Sequence, residues 1–216
     1  MPMRRLLPLL LFTFTHPVFA GEAETLAVPA HRITADDPAW QDLTGRLRRQ
    51  PEVTADFIEN RWFAFKRTPT ILRGEARVST AHGLSLHYVS PQEQTVIIDA
   101  GGILLRAPTG DSVPPADPRA EAANSALLHV LQFDLTPLAN AFDLYGVRSG
   151  ATWKLALVPK EESLRRTLGQ ISIEGEGEAV RRIELRRSAL QRVEILIAPP
   201  SAAAAFTAGE LRRFFR

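Results

Sequence analysis

Through most of this chain beyond Val53 the hydrophobic residues recur at every second position, and that period dictates sheet. In residues 71–79, Leu72, Ala76 and Val78 share one side with Gly74 in line, while Arg73, Glu75 and Arg77 share the other. Leu84, Leu86 and Tyr88 alternate with Ser85 and His87, and Trp153, Leu155 and Leu157 alternate with Lys154 and Ala156. Ile183 and Leu185 interleave with Arg182, Glu184 and Arg186; Val193, Ile195 and Ile197 oppose Arg192 and Glu194. Side chains of a strand point to opposite faces in turn, so each segment carries one apolar and one wet face, as antiparallel sheets do. Residues 94–99 and 103–106 flank an Ala100-Gly101-Gly102 turn, and 167–173 and 180–187 flank the glycine-rich run 174–178. Residues 53–66 read as one longer strand, with Phe57, Phe63 and Phe65 on one parity and Ile58 and Trp62 on the other.

Three stretches break this period. Asp36-Asp37-Pro38 supplies a carboxylate cap and a proline at the first helical position, Trp40, Leu43 and Leu47 follow at helical spacing, and Pro51 stops the helix. Residues 107–120 are rich in proline and turn formers and read as a surface loop. Residues 121–133 and 137–142 read as short helices, the second capped by Asp134 or Thr136, and Leu127, Leu128, Leu131, Leu138 and Phe142 make their apolar side. Glu161-Glu162 marks a further turn or helix start, and the tail 199–216 ends in a short element around Leu211 and Phe214-Phe215. Roughly eight to ten one-sided strands, with two or three short helices to cover them, give either a sandwich or a strongly curved sheet around a cavity. The apolar helical insert suits a lid over such a cavity.

The N-terminus sets the compartment. Arg4-Arg5, the apolar run Leu6–Phe14 and the small residue Ala20 make residues 1–20 a secretory signal peptide cleaved after Ala20. The run is too short for a membrane span, which needs about 20 residues. Residues 21–216 then form a single domain, with a mobile leader over 21–36. The chain has no cysteine, so neither a disulfide nor a cysteine-borne lipid is possible, and a bacterial periplasm fits best. Without Arg4 and Arg5 the 24 basic and 24 acidic residues balance, which argues against nucleic-acid binding. The arginine pairs, such as Arg48-Arg49 and Arg181-Arg182, read as a solvated surface.

No catalytic pattern emerges. Thiol nucleophiles and zinc–thiolate sites are excluded, and His31, His82, His87 and His129 lack ligand spacing. Gly83-Leu84-Ser85-Leu86-His87 resembles a nucleophile elbow only superficially, since it lacks the closing glycine and sits in a strand. A non-enzymatic protein without metal or cofactor is expected.

The order of elements resembles the LolA/LolB lipoprotein-carrier superfamily over most of residues 38–198. The matching pieces are Ala55-Asp56-Phe57-Ile58-Glu59, residues 74–78 and 84–91, Asp99-Ala100-Gly101-Gly102 and the Trp153–Pro159 strand. The resemblance implies a mainly β (α+β) fold: an incomplete, strongly curved antiparallel β-barrel around an apolar cavity, with an N-terminal helix and a short helical lid within 107–142. It implies a monomeric periplasmic carrier of acylated or lipid-like cargo, moving lipoproteins from an inner-membrane donor to an outer-membrane acceptor. The cargo would lie against Phe57, Leu72, Val78, Leu84, Leu86, Tyr88, Trp153, Leu155 and Leu157, under a lid carrying Leu127, Leu131, Leu138 and Phe142. Ordinary core packing is the competing role for each. In the best-known carriers an arginine before the Leu84–Ser90 strand bonds the lid closed; Thr80 holds its place here, leaving Arg77 or Arg73 as substitutes. Two alternatives stay open: a carrier of another product, such as an acylated or polyene pigment, and a lipid-sensing module regulating a membrane partner. For the second, the tail with Arg212-Arg213 and Phe214-Phe215 would be the docking site, although a plain C-terminal cap is the simpler account of it.

Overall fold

The computed structural model describes residues 26–49, 52–114, 125–126, 128–201 and 205–216. The expected signal peptide and its cleavage point, the leader up to residue 25 and part of the 107–142 insert lie outside the described residues. Eleven strands form one antiparallel sheet: β1 (Glu52–Trp62), β2 (Thr70–Ser79), β3 (Gly83–Ser90), β4 (Gln94–Asp99), β5 (Gly102–Ala107), β6 (Gly110–Ser112), β7 (Phe142–Ser149), β8 (Thr152–Pro159), β9 (Gln170–Glu176), β10 (Ala179–Arg186) and β11 (Arg192–Ile197). Beside them lie α1 (Pro38–Arg48), α2 (Leu135–Ala141), α3 (Glu162–Leu168) and α4 (Ala208–Phe214), and residues 125–126 and 128–131 are also helical.

The strand order is β6-β5-β4-β3-β2-β1-β11-β10-β9-β8-β7. β1 and β11 pair at the middle, Phe57 opposite Ile197 and Trp62 opposite Arg192, while β6 and β7 remain edges. The curve is therefore an incomplete barrel, as the resemblance implies. The chain leaves β6 at one edge and re-enters at β7 on the other. The helical insert lies in the segment between them.

Cross-strand register sorts the two faces. Val53, Val78, Leu84 and Ile98 form one concave row, and Glu59, Ile195, Ile183, Ile173 and Leu155 form another. α1 plugs the half of the concave face that β7–β9 provide. Its cap is Asp37, whose carboxylate accepts from Ala39 N at 3.0 Å and Trp40 N at 3.4 Å. Trp40, Leu43 and Leu47, one turn apart, are buried against Leu144, Trp153, Leu155 and Ile173. The indole of Trp40 occupies the space that Gly146 leaves: a Cβ there would fall 2.2 Å from an indole carbon.

The outer face is covered at one side by α4, which starts in a capping box between Thr207 and Glu210. Phe214 and Phe215 are buried, the Arg77 guanidinium lies 3.5 Å over the Phe214 ring, and Arg106 Nη1 donates to the carbonyl oxygen of Arg213 at 2.7 Å. The tail thus caps the sheet, which removes Phe214 and Phe215 from any exposed docking surface. Arg182 departs from the solvated-surface reading. It bonds Glu174 (2.8 Å), Glu184 (2.5 Å) and Glu194 (2.7 Å), and Glu184, which Arg186 also holds, is 1% exposed. Glu184 and Glu194 face each other across β10 and β11, a like-charge pair that the arginine between them neutralises.

Four boundaries differ from the sequence reading. β7 lies beyond the expected 137–142 helix, because Gly146 interrupts the apolar alternation of Phe142 and Leu144 and hides its period. β1 stops at Trp62, so Phe63 and Phe65 leave the sheet in a turn closed by Lys66 N donating to Phe63 O. Residues 162–168 are helical, and Gly169, at φ 70°, ends the helix before β9 begins at Gln170. The expected surface loop 107–120 contains the short edge strand β6.

The Trp40–Gly146 contact is directly testable. Gly146→Ala should lower stability by about 1–3 kcal/mol through overpacking. Gly45→Ala, on α1 where the nearest atom to the new Cβ is 3.8 Å away, should raise it by up to about 1 kcal/mol. Thermal unfolding followed by circular dichroism should show Tm shifts of opposite sign.

Candidate functional site

The concave half that α1 does not fill is hollow. A cavity of about 570 Å³ lies between the sheet and the helical segment around residues 128–131, within the size range of ligand pockets. Its walls are aliphatic: Val53, Ala55, Ala76, Val78, Leu84 and Leu86 from β1–β3, Ile173, Val180 and Ile183 from β9–β10, Ile195 and Ile197 from β11. The roof is Leu128, Val130, Leu131 and Phe133, with Leu47 at the end of α1.

Every charged or titratable lining residue comes from a turn or from the end of a helix or strand: Arg48, His82, Asp99, Asp134 and Glu178. Each acid has an arginine partner. Arg48 lies 3.9 Å from Asp134, Arg46 3.4 Å from Glu178, and Arg216 3.0 Å from Asp99. Charge is therefore confined to the rim and balanced there, leaving walls that favour hydrocarbon. Among the described residues no group of three or more His, Cys, Asp or Glu could hold a metal ion.

The roof ends in a strained turn. Phe133 N donates to Val130 O at 3.1 Å and Asp134 N to His129 O at 3.3 Å, the bond pattern of a helix closed by a left-handed residue. That residue is Phe133, at φ 49°, where glycine is usual. The ring compensates: it packs edge-on against Trp153, centroids 6.2 Å apart, and lines the cavity. This left-handed turn stops the helix at Leu131, two residues short of the expected end.

The structure distributes the sequence-predicted residues over three places. Val78, Leu84, Leu86 and Leu131 stand in the cavity lining. Leu138, Phe142, Trp153, Leu155 and Leu157 are at most 3% exposed and belong to the packed cluster under α1. Phe57, Tyr88 and half-buried Leu72 lie beyond the cavity's deep end, where the Phe57 ring meets Tyr88 edge-on at 5.2 Å. Leu127 lies outside the described residues. Thr80 sits in the lining, in the turn between β2 and β3. Arg77 and Arg73 are on the opposite face, so neither can hold the roof; the arginine beside the roof is Arg48. Ser85 and His87 also face outward, His87 Nδ1 lying 3.0 Å from Thr95 Oγ1, so the serine and histidine of the elbow-like motif do not reach the cavity. The sequence reading missed Val53, Ala76, Ile183, Ile195 and Ile197 as wall residues. Their alternation was visible, but the pairing of β11 with β1, which brings them opposite the roof, was not.

Beyond Phe57 the concave face carries a buried polar cluster. Tyr88 Oη donates to Glu59 Oε2 at 2.5 Å, Arg61 Nε donates to Glu59 Oε1, and Glu59 is 3% exposed. Burial, and then the adjacent Glu59 carboxylate, push the Tyr88 phenol above the ordinary tyrosine range.

The family model described as outer membrane lipoprotein carrier protein LolA-like matches residues 34–214. The chain belongs to this LolA-like family. Its members are periplasmic carriers of lipid or lipoprotein and are generally non-enzymatic. No curated protein sequence matches the chain. Among solved structures it is similar to a LolA superfamily protein from Nitrosomonas europaea, at 8% identity and TM-score 0.41, covering 83% of this chain and 97% of that one. A lipoprotein-sorting protein domain from Vibrio parahaemolyticus is 6% identical at TM-score 0.40, with 80% and 94% covered. MucB, solved in complex with MucA(peri), is 14% identical at TM-score 0.41, with 77% and 56% covered. In this LolA-like protein no helix among the described residues is long and apolar enough to cross a membrane.

The Tyr88–Glu59 bond should appear in the alkaline limb of stability. A raised folded pKa means the unfolded chain loses its proton first, at about pH 10. The bond's contribution is therefore complete below that pH and is lost as pH rises above it. Tyr88→Phe should lower stability at neutral pH by about 1–3 kcal/mol. It should also flatten the alkaline decline, read from Tm measured across a pH series.

Proposed function

We propose that this protein is a periplasmic carrier that shields the acyl chain of a lipid or lipoprotein in the cavity and conveys it toward the outer membrane. One observation carries the reading: an aliphatic hollow of about 570 Å³ remains beneath a roof whose underside is also apolar. Such a hollow would be filled by side chains if packing were its purpose, because interiors close to native density. Export through the 1–20 signal peptide, a donor at the inner membrane and an acceptor at the outer membrane complete the proposal.

The volume bounds the cargo. A hollow of this size is on the scale of a long acyl chain. Each methylene kept from water is worth about 0.8 kcal/mol, so one long chain is held by on the order of 10 kcal/mol.

Native mass spectrometry of protein purified from periplasm should show a bound amphiphile. Ala76→Trp, which projects an indole into the hollow, should weaken binding of a fluorescent acyl probe by about tenfold or more, since it displaces several methylenes. An empty protein that also ignores the probe overturns the proposal.

A further inference from the structure

We propose that the loops joining β1 to β2 and β10 to β11 form a docking tip for a membrane surface bearing anionic lipid headgroups. The two loops leave neighbouring strands side by side. Trp62 and Arg192 are register partners, the Arg192 guanidinium lies 3.9 Å over the Trp62 ring, and Arg192 Nη1 donates to Ala189 O at 3.3 Å. From this end project the most exposed large apolar side chains of the two loops: Phe65 at 87% and Leu190 at 64%. Phe63 stacks on Phe65 with centroids 5.4 Å apart, which fixes the pair without burying it.

Within these two loops the charge has one sign. Neither residues 60–74 nor 185–193 contain Asp or Glu, whereas Lys66, Arg67, Arg186, Arg187 and Arg192 lie in or beside the loops. Arg67 and Arg187 are exposed. Aromatic and aliphatic tips that enter the headgroup region, ringed by cations that meet anionic lipid, are the chemistry of an interfacial membrane contact. A protein partner fits less well. A stable protein interface buries about 1,200–2,000 Å² over matched surfaces, and two short protruding loops do not offer such a face.

The tip lies at the opposite end of the strands from the rim. The rim is built from the turns after β2, β4 and β9, whereas the tip follows β1 and β10. The eleven residues of β1 separate the two by roughly 35 Å. Docking by the tip therefore leaves the rim facing away from the bilayer, free to exchange cargo with a soluble or membrane-bound partner. The inference does not rest on the cargo assignment.

Trp40 and Trp153 are buried, so a vesicle-induced change in tryptophan fluorescence reports Trp62 beside the tip. The full mature chain should co-sediment with phosphatidylcholine vesicles containing phosphatidylglycerol, only weakly with phosphatidylcholine alone, and should be released by salt. F65S/L190S and R67E/R187E should each reduce this partition by about tenfold or more while leaving acyl-probe binding unchanged. Absence of binding to the anionic vesicles overturns the proposal, as does undiminished binding of both double variants. Photo-cross-linking from position 65 that captures a protein, without vesicle binding, assigns the tip to a protein partner and also overturns it.

Discussion

Trp40 rests where Gly146 has no side chain, and that contact fixes how far α1 can reach across the concave face. An eleven-residue helix spans about 16 Å, too little to cover the inside of an eleven-stranded curve. Seated over β7–β9, α1 brings Trp40, Leu43 and Leu47 into a filled cluster, and Leu47 is its last apolar residue before the rim. The side chains facing it are large: Trp153, Leu155, Phe142. Those of the uncovered half are shorter, with Ala55, Ala76, Val53 and Val78 on the two central strands. Solid and hollow halves thus follow from one helix position and a gradient of side-chain size along a single sheet.

The ends of the hollow are set by polar groups. At the rim, three arginine–carboxylate pairs join elements distant in sequence, but all are partly exposed, so each contributes little to stability. At the deep end, Phe57 separates the aliphatic walls from Glu59, Arg61 and Tyr88. A carboxylate buried on an apolar face would be prohibitive alone. The phenol and the guanidinium satisfy it, and the cost of breaking the group fixes the relation of β1 to β3 where the curve tightens. On the other face Arg182 holds Glu174, Glu184 and Glu194 across three strands in the same way.

Local chemistry made much of this legible in the sequence. The alternation that starts at Val53 gave most strands and their wet faces, and Asp37-Pro38 gave the start of α1. Less visible was what depends on distant partners. Trp153, Leu155 and Leu157 carry the same pattern as Val78, Leu84 and Leu86, yet one set packs under α1 and the other faces the hollow. No period distinguishes them, because the difference lies in which helix covers which strands. β7 was hidden because Gly146 breaks its alternation, and Gly146 is glycine because Trp40 approaches from more than a hundred residues away. Glu59 reads as a wet-face residue by type and is concave by parity; its bonds to Tyr88 and Arg61 make that tolerable.

The roof is held more by aromatic packing than by charge. Its ionic tie, Arg48 to Asp134 at 3.9 Å, is long and partly solvated, and Thr80 offers no arginine from the facing turn. What fixes the roof instead is the turn at Phe133. A bulky residue in the left-handed region costs about 1–2 kcal/mol, recovered only while its ring stays against Trp153. The strain at this residue is thus tolerated because its ring is held edge-on by Trp153 while facing the hollow, so the contact that closes the roof also completes its apolar underside.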